Sequence, residues 1–186
     1  MCYSDIIDSP RKSVVDLLSF DAEPLYFENP PSEEVVQLLQ QAAEDYSDGK
    51  AEADLQRAYQ LAPNHLMVLV SLFRYHFYQH RFAEALDVIQ QARNVVQQKL
   101  GLPDDWRQLD EMQLFGGHEH DMVLVRFYLL CLKGEAYLYA RQGEAEKSVP
   151  LLEKVAALDS NDQLGTAALL AVVNRNIHQA DMTANG

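Results

Sequence analysis

Six histidines and two cysteines are the residues of this 186-residue chain whose types lend themselves to metal or nucleophilic chemistry. His76 and His80 stand four apart, the spacing that sets two imidazoles on one face of a helix, and "GGHEHD" supplies His118, Glu119, His120 and Asp121. Together they form the pattern of a His-dependent metal site. The same residues also read without a metal, because "GGHEHD" suits a solvated linker whose acidic residues open the next helix, where its dipole favours them. The expectation is that none is bound. Cys2 and Cys131 have no histidine near them in sequence and form no CxxC pair, so a Cys–His nucleophile would need a proximity that residue order does not supply. A Gly-rich phosphate loop and a nucleophile elbow are also missing. These observations predict a chain with no catalytic residue and no cofactor.

Composition narrows the remaining classes. Hydrophobic residues make up 48% of the chain, enough for a substantial core. Asp and Glu number 28 against 15 Lys and Arg, a formal net charge of −13. A nucleic acid or an anionic membrane surface would have to approach against that field, so neither is an expected partner. "MCYSDIIDSPRK" has no apolar core of a secretory signal, and Arg126 interrupts the longest apolar run, "VLVRFYLLCLKG". A cytoplasmic protein is expected, with Cys131 reduced and packed as a small hydrophobe.

The elements that must position any site read as all α. Strand alternation is nearly absent, and apolar residues recur at helical spacing between breakers. Residues 1–31 hold an N-terminal helix, with Ser9 as cap, Pro10 in its first turn and a stripe of Val14, Val15, Leu17 and Leu18, then a connector ending at Pro30-Pro31. Further helices are predicted over about 32–46, 50–61, 65–79, 83–100, 121–141, 146–158 and 163–178. One short helix carries Trp106, Leu109 and Met112, and residues 181–186 are expected as a frayed tail.

A repeat runs through this series. Ala51, Leu55 and Ala58 recur as Ala85, Ile89 and Ala92, each 34 residues later. Ser148, Leu152 and Val155 repeat the pattern, 29 residues beyond the next period, and "ALDSND" closes that block as "LAPNH" closes the first. In these features the chain resembles the tetratricopeptide repeat (TPR) family, with repeats at about 32–65, 66–99 and 129–162, an insertion at about 100–128 and a capping helix at 163–178. The resemblance implies a right-handed solenoid of helical hairpins. Its small residues let each second helix be gripped closely by neighbouring first helices. It places His76 inward and His80 at a turn.

The resemblance also implies a concave groove lined by the first helix of each repeat. On this chain its residues are Val36 and Gln40, then Met67, Val70, Arg74, Phe77 and Tyr78, then Lys133, Tyr137 and Arg141. Such a groove, cationic and aromatic in an anionic protein, fits a protein or peptide segment with an apolar anchor beside an acidic group. The expected role is a non-catalytic adaptor or scaffold, with a chaperone-like variant. Members that clamp a chaperone tail use Lys and Asn where Val36 and Gln40 stand, so that ligand is not expected. An alternative is a self-assembling homo-oligomer that uses the insertion, whose Trp106, Leu109, Met112, Leu114 and Phe115 are a heavy apolar load for a linker.

Overall fold

The computed structural model describes residues 30–44, 50–116 and 122–184. The expected N-terminal helix, Asp48-Gly49 and His118–Asp121 therefore lie outside the described residues. Those described are all helical, with no strand among them: α1 (Glu33–Glu44), α2 (Ala51–Leu61), α3 (Leu66–Tyr78), α4 (Phe82–Leu100), α5 (Glu111–Phe115), α6 (Met122–Arg141), α7 (Ala145–Leu158) and α8 (Thr166–Ala184).

Local chemistry sets the ends. Ser32 Oγ accepts the Val35 amide at 3.5 Å, and Glu33 and Glu34 sit in the first turn of α1, where the helix dipole favours carboxylates. His65 Nδ1 caps α3 by accepting the Met67 amide. α4 ends at Gly101, whose φ of 63° is the left-handed stop that glycine adopts without strain.

The insertion departs from the single short helix expected there. A 3-10 turn (Trp106–Gln108) precedes α5, because Asp110 takes the Gln113 amide and Gln113 returns the favour, restarting the helix with a capping box. The C-terminal helix also differs, running Thr166–Ala184 rather than 163–178, so residues 181–184 are helical and not tail. Asp159 accepts the amides of Gln163 and Leu164, and Asp162 accepts those of Thr166 and Ala167. These bonds hold the chain in a turn and delay the helix. Pro150 lies inside α7 beyond its first turn, where it denies the Glu146 carbonyl a helical N–H.

Packing follows chain order. α1 packs on α2, α2 on α3 and α3 on α4; α4 then packs on α6, α6 on α7 and α7 on α8, with a lesser contact of α6 on α8. Short connections make α3 and α4 antiparallel. Gln90 and Arg93 of α4 meet Tyr139 and Glu135 of α6 in reverse order, so α4 and α6 are antiparallel and α3 runs parallel to α6. The larger core spans α3 to α8, and a smaller one joins Val35 and Ala42 of α1 to Ala51, Leu55 and Ala58 of α2 and Val68 and Leu72 of α3. All three recurrent triplets are buried: Ala51, Leu55, Ala58; Ala85, Ile89, Ala92; Ser148, Leu152, Val155. The Ser148 hydroxyl donates to the Ala136 carbonyl at 2.7 Å, which lets α7 and α6 approach without stranding a polar atom.

Candidate ligand groove

On α3, residues 67, 70, 74, 77 and 78 fall on one stripe, and on α6 residues 130, 133, 137 and 141 do the same. Since the two helices are parallel, the stripes run side by side. They touch where the Phe77 and Tyr137 rings lie 5.7 Å apart between centroids, and Phe77 is also 6.0 Å from Phe82. Over these rings sits Arg141, with its guanidinium carbon 4.8 Å from the Phe82 centroid and 5.9 Å from that of Tyr137. One of its N–H groups donates to Tyr137 Oη at 3.0 Å. The remaining donors of the planar fork have no carboxylate among the described residues, and a guanidinium placed by two rings and a ring hydroxyl is pre-organised to accept one.

The other expected groove residues fall unequally. Arg74 and Tyr78 are exposed, Met67 is 36% exposed, Val70 and Val36 are half-buried, and Gln40 of α1 is exposed. Lys133 is a correction. It is only 3% exposed, and its ammonium donates to the Leu164 carbonyl in the turn before α8. Burial pushes its pKa down, against the pull of Asp162 and Asp159. α8 and its leading turn cover the position, so Lys133 ties α6 to the C-terminal turn and does not face a ligand. Phe82 was missed in the sequence because it begins α4, a second helix that the repeat frame does not assign to the groove.

Nor does the histidine pair converge. α3 ends at Tyr78, and His80 lies in the turn beyond it with φ 58°, its ring edge-on to Phe82. The four-residue spacing therefore spans a helix end and does not share a face. His76 is 4% exposed, with its Nδ1 buried and unpartnered. Burial first, then the neighbouring Arg81, lowers its pKa, while Glu84 and Glu52 oppose the shift. No group of three His, Cys, Asp or Glu residues among those described could hold a metal ion; His118 and His120 lie outside the described residues. Cys131 is fully buried and its thiol pKa is pushed well up by that burial.

The insertion splits into two faces. Leu109 and Leu114, at 2% and 0% exposed, belong to the chain's own core, so Leu109 is unavailable as an oligomer contact. Lys154 pins this segment by donating to the carbonyls of Arg107 and Leu109, both at 2.9 Å. Trp106 is half-buried with the Arg107 guanidinium 4.5 Å above it, whereas Met112 and Phe115 are 80% and 42% exposed. A concavity of about 440 Å³, lined by Asn64, Gln91, Asn94, Val95, Gln98 and Lys99, opens beside α4. Gln91 is already engaged there, accepting from Tyr59 Oη and donating to the Pro63 carbonyl and to Asn64.

Fold and site define an all-α protein with sequentially packed helices and an exposed aromatic–arginine surface on two parallel ones. No family model matches the chain, and no solved structure matches it. It is 42% identical over 159 residues, 86% of this chain and 89% of the other, to the uncharacterized 19.8 kDa protein in the nifW 5′ region of Azotobacter chroococcum mcd 1, and it belongs to that protein's family. No described helix is long and apolar enough to cross a membrane.

Proposed function

We propose that the chain is a tetratricopeptide-like, right-handed solenoid of helical hairpins capped by α8, and that it serves as a non-catalytic cytoplasmic adaptor. It captures a protein segment on the α3–α6 stripe, an apolar side chain entering between Phe77, Tyr78 and Tyr137 while Arg141 and Arg74 take an acidic group. The observation that carries this reading is the Phe77–Tyr137 contact with Arg141 above it, an accessible cation–aromatic surface on a protein of net charge −13. The 34-residue recurrence of buried small residues supports the repeat architecture. The relative lies in a nifW 5′ region, so the products of genes beside this one are the first partners to assay. The test is capture from native extract by the wild-type chain against a folded Arg74→Glu/Arg141→Glu variant. A partner held equally by both would move the site off this face.

The exposure of Met112 and Phe115 favours a second reading, self-association through α5. Light scattering of Met112→Glu/Phe115→Glu against wild type separates the two, because an adaptor is monomeric in both and an α5-mediated oligomer dissociates in the variant.

A further inference from the structure

We propose that the α3–α6 groove is the docking site of this chain's own N-terminal segment, anchored by Leu17, Leu18 and Phe20, which an external partner must displace. The inference rests on the groove reading above. The chemistry the groove accepts, apolar anchors beside carboxylates, is the chemistry of "SPRKSVVDLLSFDAEPLYFE". Leu17, Leu18 and Phe20 are flanked there by Asp16, Asp21 and Glu23. Elsewhere among the described residues, Arg57, Arg81, Arg93, Arg107 and Lys147 are engaged in ion pairs. Arg74 and Arg141 have no carboxylate partner among the described residues and share the groove with Phe77 and Tyr137. Charge and apolarity are therefore complementary between two arginines that lack a carboxylate partner, set beside aromatic rings, and a segment that brings acids and apolar anchors.

Reach is sufficient. Twenty-nine residues precede Pro30, where the described chain begins just before α1. From α1 to α6 is two helix spacings of about 10 Å each, and from the start to the end of α3 is about 18 Å at the helical rise. The diagonal of these two distances is about 27 Å, and the ten residues from Phe20 to Pro30 span about 33 Å when extended, enough to cross it. A tether of that length holds the segment at an effective concentration in the millimolar range, so even weak docking is substantially populated and a partner must outcompete it.

The test uses the full chain. With Cys2→Ser and Ser19→Cys, a nitroxide attaches only at residue 19, since Cys131 is 0% exposed. Methyl resonances of Met67, on the groove, and Met112, on α5, are then compared with and without reduction of the label. Docking broadens Met67 and spares Met112. Either Arg74→Glu/Arg141→Glu or Leu17→Asp/Leu18→Asp restores Met67, the latter leaving the groove itself untouched. The proposal is overturned if Met67 is unbroadened, if Met112 broadens equally, or if both variants leave the broadening unchanged. A fluorescent synthetic peptide of residues 9–28, titrated into the Leu17→Asp/Leu18→Asp chain, separates the two readings. Arg74- and Arg141-dependent binding without broadening in the labelled chain sinks self-docking alone. Absence of both sinks the groove as well. With docking, the peptide binds the unmodified chain at least about tenfold more weakly than that variant.

Discussion

Ile89 of α4 is seated on Gly134 of α6: a β-carbon built at position 134 would overlap the Ile89 Cδ1 atom, and Ile89 is 2% exposed. The absence of a side chain at 134 is what lets these helices close. Glycine inside a helix costs about 1 kcal/mol relative to alanine, yet overpacking a filled core costs about 1–3 kcal/mol. Gly134→Ala is therefore expected to destabilise the wild type by about 1 kcal/mol. In an Ile89→Val background, which removes the Cδ1 atom, the same change is expected to stabilise. Urea denaturation of the four proteins measures the coupling, and additive effects would refute the contact.

Ala85 is 0% exposed and Ala83 is on the surface of the same helix. Leucine at 85 is expected to cost about 1–3 kcal/mol, and leucine at 83 less than about 0.5 kcal/mol. Equal melting points would remove the reason given for the repeated small residues.

Lys133 and Arg141 lie on one stripe of α6 and differ in role. Lys133→Met leaves the Leu164 carbonyl without its ammonium donor, an expected loss of about 1–3 kcal/mol for a buried acceptor left unpaired. Arg141→Met removes exposed stacking, and the expected stability change is below about 1 kcal/mol. Thermal melts rank the two. A more severe loss at Arg141 would contradict the assignment of Lys133 to the fold and Arg141 to the surface.

Arg93 and Glu135 meet at 2.5 Å across α4 and α6, with side chains 12% and 3% exposed. Burial raises the Glu135 pKa and Arg93 pulls it back. Glu135→Leu alone strands the guanidinium and is expected to cost about 3–5 kcal/mol, whereas Arg93→Met/Glu135→Leu is expected to recover most of it. Denaturant midpoints decide; a double variant as unstable as the single one would mean that packing, not charge, is at stake.

Burial holds the His76 pKa below its usual 6.5 in the folded chain. The unfolded chain then binds the extra proton first, so this histidine's contribution to stability is complete above 6.5 and is lost as pH falls from there toward the lowered folded value. His76→Phe also removes the unpartnered Nδ1 atom. The melting temperature of wild type is expected to drop more between pH 7 and pH 5.5 than that of His76→Phe; parallel curves would show that His76 does not titrate on unfolding.

Helix periodicity and breakers placed most described helices to within a few residues, because apolar spacing and the residues that stop a helix act within one short segment of chain. Phe77 and Tyr137 were named on one candidate surface only because the resemblance to the tetratricopeptide repeat implies it; spacing alone assigns each to a face of its own helix. What sequence order could not provide was the company each face keeps. Lys133 and Arg141 occupy the same stripe, and only the turn before α8, folded back over one of them, makes the first a buried tie and leaves the second open. His76 and His80 have metal-like spacing, and only the end of α3 at Tyr78 separates them. Leu109 and Met112 sit three apart in one insertion, and the docking of that insertion by Lys154 sends one into the core and the other to the surface. Periodicity is a property of one helix and was written in the chain. Burial is a property of the helix that arrives opposite, often from dozens of residues away, and tertiary structure alone decided it.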